Sequence, residues 1–457
     1  MKRAWLAILL AGCYSMAPSY ERPAAPIPKQ LPVGQGAPAG GGHLTLAQFV
    51  KEPRLREVLA RVVSQNRSLR RTALDIESAR QLYRVQRAAL LPSVDAVANV
   101  TSTRALAGTS DNATVKFTSY GASVGLASWE IDLFGRLKSL SDAKLQQYLS
   151  AIESAKAARI SLIAETATAW VTLAADRSRL AIATETMATS KKAMDLTEQL
   201  VGGGTSNRGD FWQAATVFQQ ARADVATLTA AIAQDRNALE LLAGGPLDDA
   251  LLPPELPVQL DWFAEVPVGL GSEVLLERPD VVAAEYDLMA ANANIGAARA
   301  QFFPSLTLTA SGGLASVALA ALFTGPAAVF TIAPALAMPL FRGGANRANL
   351  AYTEAQERSF VAAYELAIQT AFREVGDALA TRATIDEALA AQTALVEAAT
   401  KAFELSQARY KAGVDTFLTT LVTERTLYAA KSSLVATQLA ALGNRVTLYR
   451  VLGGGLD

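Results

Sequence analysis

Ala89-Leu90-Leu91-Pro92-Ser93-Val94 returns further along the chain as Gln301-Phe302-Phe303-Pro304-Ser305-Leu306. Two more pairs follow the same spacing. Leu133-Phe134-Gly135 returns as Leu340-Phe341-Arg342-Gly343, and Arg236, Leu239, Leu242 and Gly244-Gly245 return as Arg445, Leu448, Val451 and Gly453-Gly454. The offset stays near 210 residues throughout, so the chain is one supersecondary unit written twice. The first copy spans 52–245 and the second 272–454, with a short tail at 455–457. Between the copies, residues 246–271 carry Pro246, Pro253, Pro254, Pro257 and Pro267, which excludes a continuous helix there.

Proline placement then draws the elements inside each copy. None occurs between Pro92 and Pro246, and none after Pro339. From Lys138 to Val201 there is neither proline nor glycine, room for a helical rod of about 95 Å at 1.5 Å per residue. The second copy offers a proline-free stretch of similar length from Ala345 to Ala412, with one glycine, Gly376; in it Val375, Leu389, Val396 and Phe403 recur at multiples of seven, with Arg382 interrupting one position. That period is the seam of a supercoiled helix. Glycine ends both rods, at Gly202-Gly203-Gly204 and at Gly413, and a further helix follows each, over Asp210–Ala243 and Phe417–Leu452. Each copy therefore contains a long helical hairpin. The glycine triplet is not a phosphate loop, because no strand precedes it and no Gly-Lys-Ser/Thr follows.

Ahead of each rod the period changes to two. Val94, Ala96, Ala98 and Val100 alternate with Asp95, Val97, Asn99 and Thr101; Tyr120, Ala122, Val124 and Leu126 alternate with small residues. In the second copy Leu306 and Leu308 alternate with threonines, and Phe330, Ile332, Leu336 and Met338 share one face. Such segments have the pattern of membrane barrel strands. A transmembrane helix is the rival reading between Arg299 and Arg342, where no charge occurs, but Gly312, Gly313, Gly325, Pro326, Pro334 and Pro339 break the stretch. Four strands cannot close a barrel, and an open edge in lipid leaves backbone groups unsatisfied. The strands must be shared among copies of the chain, and twelve from three chains leave a pore that eight from two would not.

Composition removes most other functions. Lys and Arg balance Asp and Glu at 42 each, so the charge that drives nucleic-acid binding is absent. The single histidine, His43, and the single cysteine, Cys13, both precede the first periodic segment, which leaves no catalytic triad and no metal site on the folded body. No cofactor is expected beyond a covalent lipid on Cys13. The start of the chain gives the reason: Lys2-Arg3, an apolar run from Ala4 to Leu10, and Leu10-Ala11-Gly12-Cys13. This is a signal peptide over 1–12 whose end resembles the bacterial lipobox, with Cys13 as the lipidated first residue of the mature protein. Tyr14, in place of aspartate, directs such a lipoprotein to the outer membrane. Residues 13–51 then read as a tether, rich in Pro, Gly and Ala from Pro18 to Gly42 and expected to be flexible.

Several runs are similar to the outer membrane factor (TolC-like) family. They are Glu277-Arg278-Pro279-Asp280; Ala291-Asn292-Ala293-Asn294-Ile295-Gly296-Ala297-Ala298-Arg299-Ala300 leading into Phe302-Phe303-Pro304-Ser305; Trp129-Glu130-Ile131-Asp132-Leu133-Phe134-Gly135-Arg136; and Leu448-Tyr449-Arg450-Val451-Leu452-Gly453-Gly454-Gly455. The resemblance covers nearly the whole chain and is nearest to the OprM-type lipoprotein branch that serves resistance-nodulation-division pumps. It implies a mainly α protein with a membrane β-barrel: a homotrimer whose twelve-stranded barrel, four strands per chain, continues into a coiled-coil-like helical tunnel. It implies a passive exit duct for drugs, gated at its periplasmic tip and opened by docking of a periplasmic adaptor and an inner-membrane pump. On the residues that match the family pattern it implies a gate role for Asp415 and Asp210, and for Arg409, Tyr410 and Arg425, which would tie the inner helix pair to its neighbour. Helix capping is the plainer role for the two aspartates. Val422 stands where close relatives often carry aspartate, and Val201 where an equivalent of Tyr410 is expected. A type I protein-secretion duct and a lipid-anchored periplasmic coiled-coil scaffold remain as alternative functions.

Overall fold

The computed structural model describes residues 15–31, 44–106, 114–267 and 271–454. Among these, short helix α1 (Leu46–Phe49) is followed by α2 (Pro53–Gln65) and α3 (Arg67–Ala88), then strands β1 (Val94–Leu106) and β2 (Thr114–Ile131). Next come the long helix α4 (Arg136–Gly202) and its return α5 (Arg208–Ala243). The second copy repeats the order as α6 (Pro279–Ala300), β3 (Ser305–Ser316), β4 (Ala328–Ala337), α7 (Ala345–Lys411) and α8 (Phe417–Val451). Both long helices run 67 residues, within two residues of the bounds read from glycine and proline. No described helix is long and apolar enough to cross a membrane, and the charge-free stretch 300–341 forms a strand pair.

The chain divides into two compact units. The first, made of the segments up to Ala24, Asp75–Ile152 and Ala283–Glu365, holds an antiparallel sheet in the order β1-β2-β3-β4. Its register sorts the residues by chemistry. Ala96, Val124, Gly312 and Phe330 lie in one row, and Val94, Leu126, Ala310 and Ile332 in another, on the same face. Asp95, Gly125, Ser311 and Thr331 form a row on the opposite face. A period-two sequence therefore gives one apolar and one polar face. Below the sheet the two copies of the repeat meet where Phe134 stacks on Phe303 at 4.8 Å, and within the first copy Arg136 grips Glu130 through two bonds of 2.9 and 2.5 Å.

The expectation of a flexible tether is corrected for the segment before Ala24. Ser15 Oγ lies 3.3 Å from Ser139 Oγ, and the backbone of Ala17 lies so close to Gly296 that a Cβ there would meet Ala17 N at 2.6 Å. Tyr20 donates to Glu285 Oε1 at 3.1 Å, and Arg22 donates to both Glu285 oxygens at 2.7 and 2.6 Å. Proline and alanine suit a coil in solution, but a coil that finds a buried carboxylate and a glycine groove is fixed by them.

The second unit comprises Ala25–Leu74, Glu153–Val282 and the chain from Leu366 onward. The connector between the repeats is docked onto its helices. Fully buried Trp170 donates to Leu251 O at 3.1 Å and meets Trp262 edge-on at 4.7 Å. Phe49 stacks between Phe263 and Tyr449 at 5.1 and 4.1 Å. Arg278, from the Glu-Arg-Pro-Asp run, is buried and bonds Asp280, Glu374 and Val451 O, which ties the start of α6 to α7 and the end of α8. A buried guanidinium is tolerable only when partnered in this way. The α7 seam reads as expected: Val375 is fully buried, Leu389, Val396 and Phe403 are half-buried, and Arg382 at the interrupting position pairs with Glu265 at 3.2 Å.

Candidate functional site: the helical tip

The ends of α4 and α7 far from the sheet in sequence are closed by two similar turns. After α4, Gly204 takes φ of 73°, and Thr205 N bonds back to Leu200 O at 2.9 Å. After α7, Gly413 takes φ of 73°, and Val414 N bonds back to Arg409 O at 2.9 Å. A Cβ on Gly413 would meet nothing within 4 Å, so glycine is required there by the left-handed backbone and not by space.

The two turns use their aspartates differently. Asp210 belongs to a cap. Its backbone N–H donates to Asn207 Oδ1 at 3.0 Å, while Ser206 Oγ and Asn207 Nδ2 each donate to its Oδ2 at 3.0 Å. Asp415 is not a cap, since Thr416 holds the N-cap position of α8 and makes no side-chain cap bond. Instead Arg409 donates to both Asp415 oxygens, at 2.6 and 2.9 Å, across the Gly413 turn. The hydrogen-bonded guanidinium holds the Asp415 carboxyl below the ordinary carboxylate range.

Behind the turns lies a small apolar cluster: Ala214 and Val217 of α5, Phe417 and Leu421 of α8, with Ala193, Met194 and Tyr410 packed against it. The Tyr410 ring is 5.2 Å from Phe417. Burial, and secondly the charge of Asp210, push its hydroxyl up. Ser406 and Thr423 share a 2.6 Å hydrogen bond between α7 and α8. Tyr428 donates to Asp224 at 2.7 Å, joining α8 to α5, and Lys431 donates to Glu185 at 2.8 Å, joining α8 to α4. The structure thus brings Arg409 to Asp415, and Tyr410 into the charge range of Asp210. Arg425 stands apart, two turns further along α8, exposed in a groove with Thr216, Gln220, Ala221 and Tyr428. Val422 and Leu418 are exposed one turn apart on α8, and Val414 is exposed in the turn that precedes the helix. Val201 is half-buried, and Cys13 lies outside the described residues.

One tip residue escaped the sequence reading. Glu424 is 6% exposed, its Oε1 has no hydrogen-bond partner, and burial alone pushes its carboxyl up to about 7. In a helix rich in Thr it looks like an ordinary surface charge. The available signal was its place on the Phe417, Leu421, Glu424, Tyr428 stripe, which is otherwise apolar or aromatic.

A four-stranded sheet with one apolar face, joined to two long helical hairpins that end in glycine turns, is the protomer of an outer-membrane channel with a helical extension. Comparison with known proteins agrees: the family described as outer membrane efflux protein matches residues 58–245 and 270–454. The chain is 41% identical to the solvent efflux pump outer membrane protein SrpC of Pseudomonas putida, covering 98% of this chain and 96% of that protein. It is 40% identical to the outer membrane protein OprJ of Pseudomonas aeruginosa, covering 99% and 95%. The open state of the Neisseria gonorrhoeae MtrE outer membrane channel superposes with a TM-score of 0.84 at 36% identity, covering 97% of this chain and 99% of that one. The chain belongs to the outer membrane efflux protein family. It is an efflux channel of the outer membrane, a transport protein and not an enzyme.

Proposed function

We propose that three copies of this chain close a twelve-stranded barrel, and that the resulting duct is gated where the α4–α5 and α7–α8 turns meet around the axis. The observation that carries this reading is the apolar-faced sheet with unpaired outer edges at β1 and β4. In lipid each unsatisfied backbone group costs several kcal/mol, and only further copies of the sheet remove them all. At the tip, Arg409 and Asp415 clasp the Gly413 turn, and the exposed Val414 of the turn with Leu418 and Val422 of α8 give each protomer apolar surface for its neighbours. An apolar closure fits the valine that replaces the expected aspartate at 422. Cys13 carries the lipid anchor. A periplasmic adaptor engages the tip and delivers cargo from an inner-membrane resistance-nodulation-division pump. Relatives named for solvent and toluene efflux support small apolar xenobiotics as that cargo.

The test is the mass of the detergent-purified protein and its conductance in a planar bilayer, wild type against Asp415→Ala. A trimer whose low basal conductance rises severalfold on substitution is expected. A monomer without conductance would put the periplasmic scaffold in front, and a trimer that conducts freely in both forms would remove the gate from the tip.

A further inference from the structure

Glu424 occupies a position in which a carboxylate has nothing to bind. One turn before it on α8, Thr420 bonds to Ser406 of α7 and Leu421 packs on Val217 of α5, and the adjacent Thr423 also bonds to Ser406. One turn after it, Tyr428 is held by Asp224 of α5. Residues three and four apart share a helix face, so Glu424 lies between these two points of attachment, where α8 is held to both α7 and α5. It is buried there without a partner for Oε1.

No charge on the neighbouring helices compensates it. On α4, Lys191 is paired with Asp195, Glu185 with Lys431, and Glu198 is exposed. On α5, Asp224 is engaged by Tyr428 and Arg222 is exposed. On α7, Lys401 is paired with Glu397, Arg409 with Asp415, and Glu404 is exposed. On α8 itself Arg425 is exposed, in the groove it shares with Thr216 and Gln220. Burial is the sole cause of the raised carboxyl, with no opposing charge acting on it.

We propose that Glu424 is a proton-operated latch: neutral, it lets α8 pack against α5 and α7 and holds the tip closed; ionised, it draws water and loosens that packing, so the tip opens more readily. An isolated buried carboxylate is too costly to persist, and the helix yields to hydrate it or the group stays protonated. The proposal rests on the tip being the gate. Its range follows from linkage. A hydrated Glu424 titrates near the ordinary 4.5 and the packed one near 7. The open-to-closed ratio per subunit therefore rises about tenfold for each pH unit between those values and levels off above the upper one. Asp415, held low by Arg409, is already ionised across this window.

The experiment uses the full-length trimer in a planar bilayer with potassium chloride, at pH 5.5, 7 and 8.5, for wild type, Glu424→Gln, Asp235→Asn and Asp415→Ala. Hydrogen exchange over residues 417–430 is measured in parallel at the same pH values, corrected for the intrinsic rate. Glutamine reproduces the neutral carboxyl, so this variant keeps the closed packing. Expected are a wild-type conductance and an exchange rate that each rise at least tenfold from pH 5.5 to 8.5. Both should be flat and low in Glu424→Gln, and both should keep their pH dependence in Asp235→Asn. A wild-type protein indifferent to pH, or a Glu424→Gln variant that keeps the dependence, overturns the latch. Should Asp415→Ala raise conductance at every pH in either of those cases, the gate stands and only the latch falls. If exchange follows pH through Glu424 while no variant alters conductance, the gate is elsewhere and the latch, as a gate control, falls with it.

Discussion

Buried and half-buried charges in this protein differ by the company they keep. Arg278 is surrounded by two carboxylates and a carbonyl, Glu424 by none, and Asp235 of α5 lies beside a like charge, Asp176 of α4. Burial first, then the charge and hydrogen bonding of Asp176, push Asp235 up to about 6. The consequence for stability has a definite sign. Below about pH 3.8 Asp235 is protonated whether the chain is folded or not, and its environment costs nothing. Between there and about 6 the unfolded chain releases the proton while the folded one retains it, so stability falls as pH rises and then levels off. Asp235→Asn is therefore expected to raise trimer stability by about 1 to 2 kcal/mol at pH 8, after allowance for solvent screening, and by nothing at pH 3.5. Urea midpoints at the two pH values check it; an equal gain at both would mean that charge is not the cause. Such groups are poorly legible in sequence. Asp415 and Arg409 are six residues apart, outside the three-and-four spacing by which helical partners are recognised, and only the left-handed turn at Gly413 brings them together. The duplicated glycine stops did mark where to look.

Elements were far more legible, because they are set by periods and breaks. The absence of proline placed both 67-residue helices, and the seven-residue spacing around Val375, Leu389 and Val396 placed the buried side of α7. Strand lengths were less legible: β2 runs 18 residues, past a bulge between Leu126 and Trp129 that breaks the alternation. The segment from Ser15 to Ala24 was misread because composition reports what a chain does alone, whereas docking depends on what it meets. What it meets is α6. Glu285, buried at its middle, receives Tyr20 and Arg22, and Gly296 near its end leaves room for the Ala17 backbone. Gly296→Ala is expected to lift this segment, because its Cβ would fall 2.6 Å from Ala17 N and 2.7 Å from Ser139 Oγ. Overpacking of this kind costs about 1 to 3 kcal/mol. Chymotrypsin should then cut the folded variant after Tyr20, whose half-buried ring is held in the wild type by its hydrogen bond to Glu285. Equal resistance in the two proteins would mean that the segment is held from elsewhere.

At the scale of the whole molecule the sheet must face lipid on one side and water on the other, and that requirement is sharp to a single residue. Phe330 shares its row with Gly312, Val124 and Ala96, while Thr331 shares its row with Ser311, Gly125 and Asp95. The two are neighbours on β4, and composition alone would treat them as one site. A shift of register by one residue would exchange them. If the barrel closes with its apolar face outward, Phe330→Arg places a guanidinium in hydrocarbon at a cost of about 2 to 4 kcal/mol per chain near the bilayer midplane. Three copies multiply that cost, enough to reduce the yield of membrane-inserted trimer by orders of magnitude. Thr331→Arg places the same group in the aqueous lumen. Its trimer should assemble in normal amount, with conductance lowered and anion preference raised by a ring of three charges. Trimer yield in outer-membrane fractions, followed by reversal potentials in a salt gradient, separates the outcomes. Equal loss of both variants would show that β4 packs against protein on both faces, and the shared barrel would then need another edge.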